Sequence, residues 1–185
     1  MEFFTIDTER FILTKVTPEI FTYVFENYPE EEIARFFGAE NEDEMEKERG
    51  RYEKGLRTFN KTFLFFTIKD KTINKVIGSL GFHTWYIDHD RAELFYFLKH
   101  DEYKKKGIIS ETLPIVLSYG YNEMNLRRVE AFVGPNNDAS LNVMRKFGFT
   151  QEGVMREHYR HSNNLEDSVV FSLLRGEFLT SAEKT

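Results

Sequence analysis

Seven short segments of the chain are rich in β-branched, aromatic and other apolar residues, several with strict alternation of apolar and polar positions. Because successive side chains of a strand point to opposite faces, this pattern predicts β-strands. The predicted strands cover residues 11–15, 62–69, 75–83, 92–98, 128–133, 152–158 and 168–174. Residues 70–74 are a polar turn, so the second and third strands are expected to pair as a hairpin.

Helices are predicted between these strands from capping residues and helical spacing. Thr17 caps a helix that has Pro18 at its first position and runs to about Asn27. A further helix at 137–146 stops at Gly148, in the usual position of a residue that ends a helix. The remaining predicted helices cover residues 30–37, 42–56 and 111–124.

The order of these elements predicts an α/β (α+β) domain. An antiparallel front half is followed by strand, helix, strand and helix, and a hairpin closes the chain. The unit from 92 to 133 is expected to be parallel and right-handed, and ligands of open α/β sheets bind beyond the carboxyl ends of such strands. No linker, repeat or low-complexity block divides the sequence, so residues 1–185 are interpreted as one domain with a polar, frayed tail at 180–185.

Composition narrows the class of protein. Of the 185 residues, 41% are apolar and 16% aromatic, which is enough for a buried core. The absence of cysteine excludes disulfides, thiolate metal sites and a cysteine acyl-enzyme, and fits a cytoplasmic protein. A formal net charge of -6 argues against a general nucleic-acid binder and suits a cationic substrate, although solubility is a sufficient reason for it. No apolar run reaches the length of a membrane span, so no membrane partner is expected.

The segment after the strand at 92–98 is a candidate anion site. It reads Lys104, Lys105, Lys106 and Gly107, and a helix begins shortly afterwards. A helix start offers unpaired N–H groups and the positive end of the helix dipole, and glycine lets the backbone approach a ligand closely. The spacing is that of neither the Walker nor the Rossmann phosphate loop. A solvated lysine run before an ordinary helix is the alternative.

Further motifs accompany this loop in a fixed order. The ordered set resembles the Gcn5-related N-acetyltransferase (GNAT) superfamily over about residues 8–175, and within it the branch that acetylates the N-termini of ribosomal proteins. The matching segments are Glu9-Arg10, Ile77-Gly78-Ser79-Leu80-Gly81-Phe82, Ala92-Glu93-Leu94, Leu126-Arg127-Arg128-Val129-Glu130-Ala131, Asn137-Asp138-Ala139-Ser140 and Lys146-Phe147-Gly148-Phe149. The family's loop reads Gln/Arg-x-x-Gly-x-Gly/Ala, whereas this chain has Lys104, Gly107 and Ile109 at those places. Ile109 faces either phosphate or core.

The resemblance implies a GNAT fold: a mixed, mostly antiparallel twisted sheet of about seven strands flanked by helices, with one parallel strand pair splayed for acetyl-CoA. It implies an N-acetyltransferase that moves an acetyl group from acetyl-CoA, as cosubstrate, directly to a primary amine, foremost a protein N-terminal α-amine. The alternatives are a small amine of the polyamine or aminoglycoside type, or a catalytically silent acetyl-CoA-binding module. The expected partners are acetyl-CoA and a cationic amine acceptor, in a monomer or a homodimer.

Glu93 is the candidate general base. Strand alternation places it on one face with Phe95 and Phe97, and a carboxylate beside aromatic rings has a raised pKa and is a better base. An exposed glutamate at a strand end is the alternative. By resemblance, Ser140 is the candidate acid for the departing thiolate, against the alternative of an ordinary first-turn serine, and Tyr159 is the second choice.

Acetyl-CoA contacts are also assigned by resemblance. Backbone N–H groups around Phe97 or Leu98 are expected to stabilise negative charge as it develops. Asn137 either touches the pantetheine arm or caps its helix, and the end of that helix is expected to reach the nucleotide. The full predicted set is Phe97, Leu98, Lys104, Lys105, Lys106, Gly107, Ile108, Ile109, Ser110, Asn137, Ser140, Asn142 and Lys146.

The acceptor side is expected at the first helices and the closing hairpin, residues 17–56 and 156–165, where the superfamily sets its substrate choice. The helical part is rich in acids: Glu26, Glu30, Glu31, Glu32, Glu40, Glu42, Asp43, Glu44 and Glu46. An acidic rim would attract cations, and a solvated acidic face is the alternative. The five histidines show no metal-ligand spacing, so no metal is expected.

Overall fold

The computed structural model describes residues 2–55, 61–161 and 164–182. Its strands are β1 (Thr5–Asp7), β2 (Phe11–Val16), β3 (Thr62–Asp70), β4 (Lys75–Tyr86), β5 (Arg91–Leu98), β6 (Arg128–Val133), β7 (Thr150–His161) and β8 (Asn164–Leu174). Its α-helices are α1 (Pro18–Asn27), α2 (Glu30–Phe37), α3 (Glu42–Glu53), α4 (Ile108–Asn122), α5 (Asp138–Lys146) and α6 (Arg175–Ala182). No helix in these ranges is long and apolar enough to cross a membrane.

The eight described strands form one sheet in the order β1-β2-β3-β4-β5-β6-β8-β7. Neighbouring strands are antiparallel except β5 and β6, which are parallel. α4 connects this parallel pair, because parallel neighbours need a crossover rather than a tight turn. The predicted mixed, mostly antiparallel sheet is confirmed, with one strand more than predicted.

Two hydrophobic layers cover the sheet. One contains α4 and α5, where Leu113, Leu117 and Met144 pack against strand residues such as Phe66 and Phe82. The other contains α1, α2 and α3, which bury a smaller cluster built on Phe21, Val24, Ile33, Phe37 and Met45. Side chains of one strand therefore alternate between two different helix layers, which decides the surroundings of every residue in β5.

Most predicted elements are confirmed. α1, α2 and β6 begin and end at the predicted residues. The Thr17 hydroxyl accepts a hydrogen bond from the N–H of Ile20 at 3.4 Å, so Thr17 caps α1 as predicted. Gly148 follows α5 with a φ of +74°, which glycine adopts at no steric cost.

Other predicted boundaries were wrong, for identifiable reasons. The strand β1 was missed because its three residues are too few to show alternation. α4 begins at Ile108 rather than 111, since Gly107 precedes it with a φ of +75°. The helix α6 was not predicted, and its Phe178 ring packs 5.0 Å from that of Tyr121. The frayed tail at 180–185 stays a prediction. Residue 56, the predicted end of α3, and residues 183–185 lie outside the described residues.

Candidate active site

β5 and β6 separate partway along their length. Their parallel pairing covers three positions, from Arg91 with Arg128 to Glu93 with Glu130. β5 then continues to Leu98 and β6 continues to Val133 without pairing to each other. The edges that face this gap keep backbone N–H and C=O groups with which an extended ligand can pair. The predicted splayed pair is therefore present.

Glu93 lies at the last paired position, where the gap opens, and its side chain is 13% exposed. Burial, together with the nearby charge of Glu130, raises the pKa of Glu93 to about 7, although the hydroxyls of Thr84 and Tyr159 act to lower it. The Nδ1 atom of His83 lies 3.6 Å from a Glu93 carboxylate oxygen. A carboxylate whose pKa lies near neutral pH can take up and release a proton at pH 7.

Two arginines fix Glu130 beside Glu93. One oxygen of Glu130 accepts a hydrogen bond from Nη1 of Arg91 at 2.7 Å, and the other accepts one from Nε of Arg128 at 2.9 Å. Arg128 also donates to Glu152 at 3.0 Å. Side chains at paired positions of neighbouring strands share a face, so this network keeps a second carboxylate next to Glu93.

Backbone direction in β5 separates the two predicted N–H donors. The N–H of Lys99, directly after β5, donates to the C=O of Ile77 in β4 at 2.9 Å. Successive N–H groups of a strand point to opposite sides. The N–H of Leu98 therefore points away from β4 and into the gap, whereas the N–H of Phe97 points towards β4. Of the two predicted positions, Leu98 has the suitable direction.

The loop before α4 keeps the N-terminus of that helix open. Gly107 at the N-cap has a left-handed backbone, and no described side chain caps the helix. The first-turn N–H groups and the positive end of the dipole therefore stay available to an anion. A Cβ added to Gly107 would meet only the Arg10 guanidinium, at 3.7 Å, so glycine is needed here for its φ rather than for space.

A clamp from the start of β2 holds this loop in place. Arg10 donates from Nε to Glu111 at 2.6 Å and from Nη1 to the C=O of Lys106 at 3.1 Å. The hydroxyl of Thr8 donates to the other oxygen of Glu111 at 2.7 Å. Glu111, the only acid in the first turn of α4, is thus bound by Arg10 and does not occupy the open N–H groups to which an anion could bind.

The remaining loop residues differ in what they can contribute. The side chain of Ile108 is buried, and Ile109 packs against the same core, so both can offer only backbone N–H groups to a ligand. This answers the question left open by the sequence: Ile109 faces the core. Lys104 forms an ion pair with Asp101 at 2.5 Å, and Lys105 and Lys106 are exposed.

α5 brings further predicted residues to the gap. The side chain of Asn137 accepts a hydrogen bond from the N–H of Ser140 at 3.1 Å, so Asn137 caps the helix. Lys146, at the other end, donates to the Ser110 hydroxyl in the first turn of α4 at 2.9 Å. Its positive charge therefore lies at the open helix start. Asn142 is exposed and accepts a hydrogen bond from Arg145 at 3.0 Å.

Tyr96 is a functional candidate that sequence reasoning missed. It lies on β5 beyond the last paired position, and its hydroxyl is buried without a hydrogen-bond partner among the described residues. Burial raises its pKa, and the Ser140 hydroxyl lies near enough to oppose this shift although the two hydroxyls do not meet hydrogen-bond geometry. A buried hydroxyl without a partner costs free energy and fits a site that a polar ligand completes. Together with the unpaired β5 edge and the open helix start, it makes this gap fit an extended ligand with an anionic end, such as acetyl-CoA.

A groove of about 500 Å³ lies on the face of β5 that carries Glu93. Its lining includes Phe63, Phe65, Phe95, Phe97, Arg51 and Lys54, and we call it the aromatic groove. None of the acids named for the helical segment lines this groove among the described residues. Several of the acids form ion pairs elsewhere, among them Glu30 and Glu42 with Arg49 and Glu44 with Lys99.

The histidines divide by their surroundings. His83 lies beside Glu93 and lines the aromatic groove, which the sequence did not indicate. His158 contacts the Ser168 hydroxyl at 3.0 Å and the Phe132 ring at 4.9 Å, and His100 pairs with Glu40 at 2.8 Å. The described residues contain no group of three or more metal-ligating side chains. The side chain of His161 lies outside the described part of the chain.

Comparisons with known proteins agree with this geometry. The uncharacterized N-acetyltransferase YoaA of Bacillus subtilis (strain 168) is 29% identical over 171 residues, which cover 92% of this chain and 96% of that protein. The ribosomal-protein-S5-alanine acetyltransferase from Vibrio fischeri has a similar structure, with a TM-score of 0.65 and 17% identity over 95% of this chain and 98% of its own. The spermidine/spermine N-acetyltransferase SpeG from Vibrio cholerae is equally similar, with a TM-score of 0.68 and 17% identity over 94% of this chain and 97% of its own. The acetyltransferase (GNAT) domain model matches residues 10–150, and the chain is therefore a member of the GNAT family of N-acetyltransferases.

Proposed function

We propose that this enzyme transfers the acetyl group of acetyl-CoA directly to the α-amine of a peptide or protein N-terminus, with Glu93 as the general base. The observation that carries the proposal is the position of Glu93, at the point where β5 and β6 separate and with a pKa near neutral pH. Acetyl-CoA supplies the acetyl group as a thioester, so the transfer forms an N–C bond, breaks the C–S bond and releases coenzyme A.

The pKa of the base favours an α-amine over other acceptors. An N-terminal ammonium has a pKa near 8, and a lysine-type ammonium has one near 10.4. Proton transfer to a carboxylate of pKa about 7 then costs about 1.4 kcal/mol from the former and about 4.6 kcal/mol from the latter. A polyamine or aminoglycoside acceptor is the alternative within the same chemistry, and a silent acetyl-CoA-binding module is the alternative outside it.

The other groups of the site have roles that match their positions. The N–H of Leu98 is the proposed donor to the carbonyl oxygen that gains charge during transfer. Ser140, beside the Tyr96 hydroxyl, is the proposed proton donor to the leaving thiolate. The open first turn of α4, with Gly107, Ser110 and Lys146, is the proposed pyrophosphate site. The proposed setting is the cytoplasm.

Thermal unfolding with acetyl-CoA, coenzyme A and ATP tests the ligand assignment. A ligand at about 100 times its dissociation constant stabilises the fold by about 2.7 kcal/mol, which raises the Tm of a domain of this size by roughly 5 to 10 °C. We expect this shift with acetyl-CoA and coenzyme A and not with ATP. A melt that neither CoA form shifts would contradict the proposed site.

Glu93→Gln tests the catalytic assignment. The amide cannot accept a proton, so turnover of an N-terminal peptide should fall about 10²- to 10⁴-fold while the acetyl-CoA melt shift is kept. The matched control is Glu152→Gln, which removes another carboxylate of the same network without a contact to Glu93. A wild-type protein that binds acetyl-CoA but acetylates no amine would instead indicate the silent module.

A further inference from the structure

The aromatic groove leads directly to the proposed base. From α1 to β5, ring centroids follow each other at short range: Phe21 to Phe63 at 6.4 Å, Phe63 to Phe65 at 5.7 Å and Phe65 to Phe95 at 5.9 Å. The series continues from Phe95 to His83 at 5.5 Å, and His83 lies 3.6 Å from Glu93. A continuous aromatic wall thus ends at the carboxylate proposed to deprotonate the amine.

The size of this groove suits the first residue of an acceptor. Ligand pockets span about 300 to 1,000 Å³, and the groove, at about 500 Å³, has room for one large side chain and adjoining backbone. Of its walls, Phe97 is 44% exposed and Phe63, Phe65 and Phe95 are each partly exposed. Apolar surface that the fold leaves open beside a reactive centre is covered when an apolar group binds there.

The charge of the groove disfavours polycations. Its charged lining residues in the described part of the chain are Arg51 and Lys54, near the end of α3, and none is acidic. Arg51 is paired with Glu48 at 2.7 Å, whereas Lys54 is exposed and forms no ion pair with a described residue. A second positive charge on an acceptor would face Lys54, while a carboxylate or carbonyl group would be attracted to it.

These observations lead to a substrate class, and the inference rests on the proposed function. We propose that the acceptor presents a primary amine on a first residue with an aromatic or bulky apolar side chain, which lies along the wall from Phe63 to Phe95, followed by neutral or acidic rather than basic groups near Lys54. The same chemistry could come from a protein N-terminus or from a free aromatic amine. Spermidine-like acceptors are disfavoured, because they have no aromatic or bulky apolar side chain for the wall and would place a positive charge near Lys54.

A panel of acceptors tests this preference. The amines are three peptides that differ only in their first residue (Phe, Leu or Ala), a Phe-first peptide with Lys in place of Asp at position three, phenethylamine, and spermidine. We expect kcat/KM for the Phe and Leu peptides to exceed that for the Ala peptide about 10- to 100-fold, as burial of one large side chain permits. Spermidine and the Lys-containing peptide should be poorer. A higher kcat/KM for the Phe peptide than for phenethylamine indicates a protein N-terminus, and the reverse indicates a free amine.

Two variants locate the preference in the groove. Phe63→Ala should reduce the Phe-over-Ala ratio about tenfold, and the matched control Phe36→Ala should leave it unchanged, because Phe36 is a partly buried ring of the same helix-side cluster outside the groove. Lys54→Glu should raise the relative use of spermidine and of the Lys-containing peptide. Tm and the acetyl-CoA shift, measured for each variant, show whether the fold is kept.

The outcomes separate this inference from the proposed function. Turnover that is equal for Phe and Ala peptides, or highest for spermidine, would overturn the inference and leave the acetyltransferase assignment standing. If no amine is acetylated although acetyl-CoA stabilises the protein, the proposed function fails. The groove preference is then measured as the melt shift caused by the same amines in the presence of coenzyme A, and equal shifts for Phe and Ala peptides would overturn it.

Discussion

At the scale of single residues, the proposed reaction depends on Glu93, a largely buried carboxylate whose ionised form is disfavoured by burial. Glu93 lies beside His83, aromatic rings and a second carboxylate, Glu130. Burial lowers the pKa of His83, which favours its neutral form. No arginine or lysine is hydrogen-bonded to Glu93 within the described residues, whereas Glu130 has two such partners. Glu93 is therefore suited to titrate near neutral pH, and Glu130 is held in place by its two arginine partners.

The rate should depend on pH through Glu93. The carboxylate must be ionised to accept a proton, so kcat/KM should fall as pH decreases through about 7. The ionisation of the N-terminal amine of the substrate, with a pKa near 8, adds a second pH-dependent limb to the kcat/KM profile. Glu93→Gln should lose the lower limb and keep the upper one, as measured by pH–rate profiles of both proteins. A wild-type limb near pH 4.5 would contradict the raised pKa.

The same raised pKa has a consequence for stability. A group whose folded pKa is about 7 and whose ordinary value is 4.5 binds its proton more tightly in the folded state, so its contribution is present at low pH and is lost as pH rises from about 4.5 to 7. The Tm of Glu93→Gln relative to wild type should therefore increase between pH 5 and pH 8. Differential scanning calorimetry at both pH values checks this, and a Tm difference independent of pH would contradict it.

Glu130 should act as a positioning residue that sets the pKa of Glu93. Glu130→Gln removes a like charge beside Glu93, which favours the ionised form of Glu93. The acidic limb of the pH–rate profile should move to lower pH, while Glu152→Gln should leave it in place. A fall in kcat at every pH without movement of the limb would indicate a purely structural role.

At the scale of elements, the start of β2 controls the start of α4. Arg10 joins the Lys106 carbonyl and the Glu111 carboxylate, so the loop that contains Gly107 is held from outside by a residue far away in the sequence. α4 keeps its N-terminus open because its own first-turn acid is bound by this clamp. Element ends are thus arranged by contacts between elements.

Arg10→Ala should weaken acetyl-CoA binding without a contact to the ligand. Loss of the clamp frees the Lys106 carbonyl and lets Glu111 approach the open helix start, where its charge competes with an anion. Because Arg10 is substantially exposed, we expect a moderate effect, an increase in Kd of about 3- to 10-fold by isothermal titration calorimetry. Arg127→Ala, a loop arginine at the other end of α4, is the control that should leave Kd unchanged.

At the scale of the whole molecule, the helix layer formed by α1, α2 and α3 is linked to β5, the strand that carries the proposed base Glu93. Lys99, directly after β5, donates to Glu44 of α3 at 2.6 Å, and the Lys99 side chain is only 8% exposed. His100 pairs with Glu40 in the adjoining loop. These contacts join α3, which lines the aromatic groove near its end, to the end of β5, so the proposed acceptor and acetyl-CoA sites are held together by one set of contacts.

Glu44→Gln should destabilise the fold in a pH-dependent way. The hydrogen bond from Lys99 lowers the pKa of Glu44 below its ordinary value of 4.5. Its contribution is therefore present above that value and is lost as pH falls through the lower folded pKa. We expect a loss of about 1 to 3 kcal/mol in the free energy of unfolding at pH 7, measured by urea unfolding, and a smaller loss at pH 4. Glu46→Gln, an exposed acid of the same helix, should change neither value appreciably.

The sequence alone predicted the order of most elements and the face on which Glu93 lies, because both depend on local spacing, whereas β1 and α6 were not predicted. The GNAT family was indicated by the resemblance of an ordered set of motifs, and the family model confirms it. The sequence also indicated the loop at 104–107 and the cap at Asn137. It left open whether the acids of α2 and α3 form a rim at the acceptor side or a solvated face, and three of them form ion pairs: Glu30 and Glu42 with Arg49, and Glu44 with Lys99.

Only the tertiary structure decided which groups surround the base. The pairing of Glu93 with Glu130, the approach of His83 and Tyr159, and the burial of the Tyr96 hydroxyl join residues that are distant along the chain. Ile109 packs against the core that α4 forms with the sheet, a contact between elements that no local pattern encodes. A pKa depends on every charge and dipole within several ångströms, and those distances exist only once the sheet and its two helix layers are assembled.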